Sequence, residues 1–124
     1  MKLFRVILPV QSIEKAAAFY SGLFNDPGVR VSPGRHYFDL GGTILACYDW
    51  KADGDGQDSW NYHKNQFLYI TVPNLEEIME RLLALGGKCL TAIEEKPWGE
   101  TLFYAKDPFN SPICFVKEGT EFTG

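Results

Sequence analysis

Over residues 3–10 the side chains alternate, with Phe4, Val6, Leu8 and Val10 on one side and Leu3, Arg5, Ile7 and Pro9 on the other. This is the two-residue period of a strand, and its first set is wholly apolar. After Ser12 the period becomes helical, because Ile13, Ala16, Ala17, Tyr20, Leu23 and Phe24 fall on one face. Ser12 stands where a side-chain oxygen can accept from the first free helix amides. Asn25 tolerates left-handed backbone, and with Asp26-Pro27-Gly28 it predicts the end of that helix. Three extended segments follow at 29–32, 36–40 and 43–49, the last two joined by the hairpin pair Gly41-Gly42.

The order then returns. A strand is predicted at 67–72, Asn74 caps a helix over 75–85, and Leu75, Ile78, Met79, Leu82 and Leu83 form its apolar face. Glu77, three residues after Asn74, resembles the second member of a capping box, and Gly86-Gly87 marks the stop. Extended segments at 88–94, 100–105 and 113–117 are separated by turns at 97–99 and 107–110. Each half therefore reads βαβββ. Residues 51–65, polar and glycine-rich with Trp60, Tyr62 and His63 among them, read as the connection. A single domain over 1–124 is expected, with modules at about 1–50 and 66–118 and a tail at 119–124.

Composition narrows the function classes. At 124 residues and 45% hydrophobic content the chain has material for one core. A net charge of −4 without a cluster of bases argues against nucleic acid. Cys47, Cys89 and Cys114 are odd in number and widely spaced, so neither a disulfide framework nor a cysteine zinc site is expected, and a reducing cytoplasm is. The N-terminal apolar run, broken by Arg5 and followed by Glu14-Lys15, suits neither a signal peptide nor a membrane span.

The run V-x-S-I-E-K-A-x-x-F-Y at 10–20 resembles the opening signature of the vicinal oxygen chelate superfamily, which includes glyoxalase I, extradiol dioxygenases and the fosfomycin- and bleomycin-resistance proteins. P-W-G-E at 97–100 and D-P-F-N-S-P-I-C-F at 107–115 are similar to its closing signature. The resemblance spans nearly the whole chain. It implies an α+β fold of two tandem βαβββ modules forming curled mixed sheets around a cleft, and a homodimer. It also implies four ligand positions for a divalent metal, which fall on Arg5, Ala46, Phe67 and Cys114 in this sequence. A guanidinium, a methyl group and a phenyl ring cannot coordinate such a cation, and one thiol does not make a site. No metal and no cofactor is therefore expected, although His36 and His63 could form a relocated site.

The implied geometry places Arg5, Ile7, Ala46, Tyr48, Phe67, Tyr69, Thr71 and Cys114 on the cleft side, and Phe4, Val6, Leu45, Leu68, Ile70, Ile113 and Phe115 toward the helices. An aromatic lining of mixed polarity suits a planar or partly apolar ligand. The ligand-binding candidates are Arg5, Asp39, Tyr48, Phe67, Tyr69, Trp98 and Cys114. Arg5 requires an anionic or carbonyl partner, either a ligand or an internal acid such as Asp39. Cys114 reads as a buried inert thiol, since nothing beside it in sequence would lower its pKa. Asp53, Asp55 and Asp58 faintly suggest a calcium loop, but Asp58 stands where glycine is needed and Lys64 at the twelfth position. Trp60, Tyr62 and Trp98 are candidates for a lid or an interface. Three functions stay open: a metal-free binder of a small molecule, an enzyme with acid–base residues in place of a metal (Asp39, Tyr48, Tyr69 or a histidine), and a partner-binding module with a filled cleft.

Overall fold

The computed structural model describes residues 1–56 and 65–124. They divide into two compact units, Met1–Tyr62 and His63–Gly124, and the division falls inside the predicted connection. In the first unit β1 (Arg5–Pro9) leads into α1 (Ile13–Phe24), followed by β2 (Val29–Ser32), β3 (Arg35–Leu40) and β4 (Thr43–Tyr48). Ser12 is extended and its Oγ accepts from the Lys15 amide at 3.3 Å. Asn25 closes the helix in the left-handed conformation, φ 52° and ψ 44°, with its N–H on the Ser21 carbonyl. Both caps form as the sequence predicts.

The first sheet runs β1-β4-β3-β2, with β1 parallel to β4 and the other pairs antiparallel. Helix α1 packs on β3 and β4. Leu8, Leu45, Cys47 and Phe38 are buried on that side, and Tyr20 and Phe24 of α1 both contact the Phe38 ring. Full burial of side chains this size is worth about 1.5–3 kcal/mol each. Phe19, outside the predicted face, is also buried. Phe4 departs from the prediction: it precedes the strand, stays 58% exposed and does not join the core.

In the second unit β5 (Leu68–Val72) leads into α2 (Leu75–Ala84), then β6 (Lys88–Cys89), β7 (Glu94–Glu95), β8 (Thr101–Lys106) and β9 (Pro112–Lys117). The sheet order is β5-β9-β8-β6, with β7 also on β8 and β5 parallel to β9. Asn74 caps α2 by accepting from the Glu77 amide at 3.0 Å, while the Glu77 carboxylate pairs along the helix with Arg81 at 3.1 Å. Leu75, Ile78 and Leu82 are buried, but Leu83 is 52% exposed, so the buried stripe is narrower than predicted. The predicted strand at 88–94 is two short strands. The amides of Leu90 and Thr91 both donate to the Tyr104 carbonyl, at 2.8 and 3.3 Å, and the Tyr104 amide donates to Thr91 Oγ1 at 3.1 Å. Two residues answering one partner interrupt the ladder as a bulge does. Among the described residues no helix is long and apolar enough to cross a membrane.

Candidate functional site

Each sheet has one face packed on its helix and one turned away from it, and strand register assigns residues to the second. In the first unit Ile7 pairs with Ala46 and Ala46 with Tyr37, so these form one row across β1, β4 and β3. Arg5 lies one step along the same side of β1. Its guanidinium rests over the rings of Phe4, at 5.1 Å, and Tyr37, at 5.2 Å. Contacts of this kind contribute about 0.5–1 kcal/mol at exposed positions. The other arginines have carboxylate partners: Arg30 on Glu14 at 3.0 Å, Arg35 on Asp53 at 2.5 Å and Arg81 on Glu77 at 3.1 Å. Arg5 has none among the described residues. Asp39, the internal partner considered from the sequence, instead closes the hairpin by accepting from the Gly42 amide at 2.7 Å.

Tyr48 lies on the same face but is engaged within the unit. Its hydroxyl hydrogen-bonds the Asp55 carboxylate, which raises its pKa and keeps it neutral, and Arg35 lies 4.4 Å over its ring. Asp53 accepts from Ser32 Oγ at 2.8 Å, the Gly34 amide at 2.6 Å and Arg35 at 2.5 Å. The two aspartates thus fasten the start of the connection to the sheet, an ordinary structural use for carboxylates that faintly suggested calcium. His36 is on the helix side. Its Nδ1 accepts from Arg30 Nε at 3.2 Å, which leaves Nε2–H to donate to the Pro27 carbonyl at 2.8 Å.

In the second unit the corresponding row is Tyr69–Cys114–Tyr104, across β5, β9 and β8. Leu102, Cys114 and Val116 form its buried floor, with Phe67 and Tyr104 packed against them. Phe67 meets Tyr104 edge to face at 5.5 Å, and Tyr104 meets Tyr69 the same way at 6.5 Å. Tyr69 is 56% exposed, and its hydroxyl lies 3.4 Å from that of Tyr104. That contact and partial burial raise the Tyr69 pKa, so the phenol stays protonated. Burial pushes the Cys114 thiol up to about 12, as the reading of an inert thiol requires. Lys96 lies 5.6 Å over the Tyr104 ring and pairs with Glu94 at 2.9 Å. Trp98 Nε1 donates to Glu100 at 2.7 Å, and the Phe122 amide donates to the same carboxylate at 3.0 Å. These bonds hold the Glu100 pKa below its usual range.

The second unit therefore brings together Phe67, Tyr69 and Cys114, whereas Asp39 and Tyr48 have structural partners in the first. Tyr37, Tyr104 and Lys96 were not anticipated. Counting back from the Gly41-Gly42 turn would have placed Tyr37 opposite Ala46, but Tyr104 depends on the geometry of the 107–111 loop. Trp60, Tyr62, His63, Asp58 and Lys64 lie outside the described residues.

The register also tests the four metal positions. Ile7 pairs with Ala46 as Tyr69 pairs with Cys114, so Ala46 and Cys114 are equivalent, as are Arg5 and Phe67. Two of these four side chains carry no donor atom, Arg5 is a cation, and the one thiol is fully buried among apolar groups and holds its proton. This set does not fit a divalent metal. Among the described residues no group of three or more His, Cys, Asp or Glu side chains is placed to hold one.

A family model described as the Glyoxalase/Bleomycin resistance protein/Dioxygenase superfamily matches residues 2–115. No curated protein matches the chain. Among solved structures it is similar to a glyoxalase-related enzyme from Fulvimarina pelagi, at 22% identity and TM-score 0.79, covering 100% of this chain and 93% of that one. It is also similar to a glyoxalase/bleomycin resistance protein/dioxygenase family enzyme from Burkholderia phytofirmans PsJN, at 17% identity and TM-score 0.80, covering 94% and 98%. A third, a glyoxalase/bleomycin resistance protein from Albidiferax ferrireducens T118, has 18% identity and TM-score 0.74, covering 92% and 96%. At such identities the likeness carries the fold, and chemistry has to be argued from side chains. With two helices and two mixed sheets among its described residues and a family match over nearly its whole length, the chain belongs to the glyoxalase/bleomycin resistance protein/dioxygenase superfamily.

Proposed function

We propose that the protein is a metal-free small-molecule binder of the glyoxalase/bleomycin-resistance type, holding a planar, partly apolar ligand by stacking on the aromatic face of its second unit. One observation carries this reading: Phe67, Tyr104 and Tyr69 form a continuous run of rings on the face turned away from α2, and Tyr69 remains 56% exposed. Aromatic faces left open in this way gain by covering each other and a flat ligand. The side chains at the four metal positions support the metal-free part.

A thermal-shift screen against planar metabolites and antibiotics, followed by calorimetry, tests the proposal. Hits are expected to bind Tyr69→Ala about tenfold more weakly, the scale of one lost stacking contact and its area. A screen without hits, or hits indifferent to Tyr69→Ala, refutes the platform. Stoichiometric Ni, Zn, Fe or Mn in protein purified from metal-replete medium refutes the metal-free part. The reading includes a homodimer, in keeping with Val29 and Val31 exposed on β2 at the sheet edge; sedimentation as a monomer at micromolar concentration would remove that part.

A further inference from the structure

The two units repeat one plan, but the row across each sheet differs at two of its three positions. In the first unit it reads Ile7–Ala46–Tyr37, with a single hydroxyl. In the second it reads Tyr69–Cys114–Tyr104, and the outer two place their hydroxyls 3.4 Å apart above a buried thiol. Two phenols at that separation can both turn their protons toward one acceptor about 2.8 Å from each, and a carbonyl oxygen has the two lone pairs to receive them. The raised pKa of Tyr69 keeps it a donor at neutral pH.

We propose that Tyr69 and Tyr104 act as a paired donor for one neutral carbonyl oxygen conjugated to the planar ring of the ligand. This rests on the stacking platform proposed above and specifies what that platform selects. Neutrality follows from the charges around the pair. Lys96 brings a cation to the Tyr104 ring, but Glu94 pairs with it at 2.9 Å. Glu100, nearly buried and ionised, adds a second carboxylate: after burial it raises the Cys114 pKa, and behind the Tyr104 hydrogen bond and burial it makes a small contribution to that of Tyr69. Among the described residues this sets one cation against two carboxylates, a balance that penalises an anionic oxygen more than a carbonyl.

Three probes of similar size separate stacking from hydrogen bonding: chromone, a planar bicycle with a ring carbonyl; 2H-chromene, a nearly planar bicycle that lacks the carbonyl; and chromone-2-carboxylate. Their binding to the wild-type protein, Tyr69→Phe and Tyr104→Phe is measured by ligand-observed NMR. Both variants keep the ring and lose only the hydroxyl. Each is expected to bind chromone about three- to tenfold more weakly, the worth of one hydrogen bond, with 2H-chromene unchanged and the carboxylate no tighter than chromone. Chromone binding that survives both substitutions overturns the paired donor while leaving the platform intact. A carboxylate that binds tighter than chromone overturns the choice of a neutral oxygen. Failure of both chromone and 2H-chromene to bind the wild-type protein overturns the platform and the donor pair together.

Discussion

Replacing Gly34 by alanine adds one methyl group at the most crowded turn of the first unit. Gly34 joins β2 to β3, donates its amide to Asp53 Oδ1 at 2.6 Å and accepts the Asp49 amide on its carbonyl at 2.7 Å. A Cβ placed there would stand 2.2 Å from the Asp49 carbonyl oxygen and 2.8 Å from the Asp53 amide nitrogen. Both are backbone atoms and cannot swing aside, so the turn and the 49–53 segment must separate by roughly 1 Å to restore ordinary contact. Overpacking of this kind costs about 1–3 kcal/mol, and losing the Asp49–Gly34 backbone bond adds about 0.5–1.5 kcal/mol. Asp49 also accepts the Ile13 amide at 3.1 Å, so its displacement disturbs the start of α1. The total of about 2–4 kcal/mol corresponds to a fall in Tm of about 8–16 °C for a chain of this size. Calorimetry on Gly34→Ala checks it, with Gly56→Ala as the control, since a Cβ at Gly56 meets nothing within 4 Å. A Gly34→Ala protein melting within about 2 °C of wild type, less than one kcal/mol by the same conversion, would show that the 49–53 segment does not pack against the turn as described.

Three further outcomes are expected. Asp53 has its pKa lowered by the Ser32 hydroxyl and then the Gly34 amide and Arg35, against the effect of burial. Its contribution is therefore complete above the unfolded carboxylate value near about 4 and disappears as pH falls through the lower folded value. Urea midpoints of Asp53→Asn should lie below wild type at neutral pH and converge with it in acid; parallel profiles would refute the linkage. Cys47 and Cys114 are buried and Cys89 half-buried, so Ellman's reagent should reach Cys89 alone in the native protein and all three thiols in denaturant. Modification of native Cys114, located by peptide mass mapping, contradicts that burial. Arg5→Met should change stability by less than about 1 kcal/mol, because the guanidinium rests on two rings and no carboxylate among the described residues depends on it. A larger loss in a urea titration would require a partner beyond those rings.

The local grammar of this chain was readable because it is set by neighbours. Ser12, Asn25, Asn74 and the Gly41-Gly42 pair each act over a few residues, and each acts as its position in the sequence predicts. The 88–94 segment was misread because the interruption comes from Tyr104, which bonds to both Leu90 and Thr91 across the sheet. The strand face of Arg5, Phe67, Tyr69 and Cys114 was legible from alternation read within the geometry that the resemblance implies. The site was not legible where a partner decides it. Nothing in the local sequence says that Asp55 takes the Tyr48 hydroxyl or that Asp53 gathers Ser32, Gly34 and Arg35. Tyr104 faces Tyr69 only because both pair with Cys114.

The parallel pairing at the edge of each sheet bears on how the chain acquires its structure. Among the described residues the sole sheet partner of β1 is β4, so that Arg5 waits for Ile44; in the second unit Leu68 likewise waits for Ile113. When only about the first forty residues have left the ribosome, α1 can meet Phe38 of β3, but β1 is an apolar strand whose partner β4 is still missing. Contacts between distant parts of the chain are also the slow ones to form. In each unit the edge strand is therefore the last to be paired, and until then Leu8 and Val10, or Leu68 and Ile70, are open to association with another nascent chain.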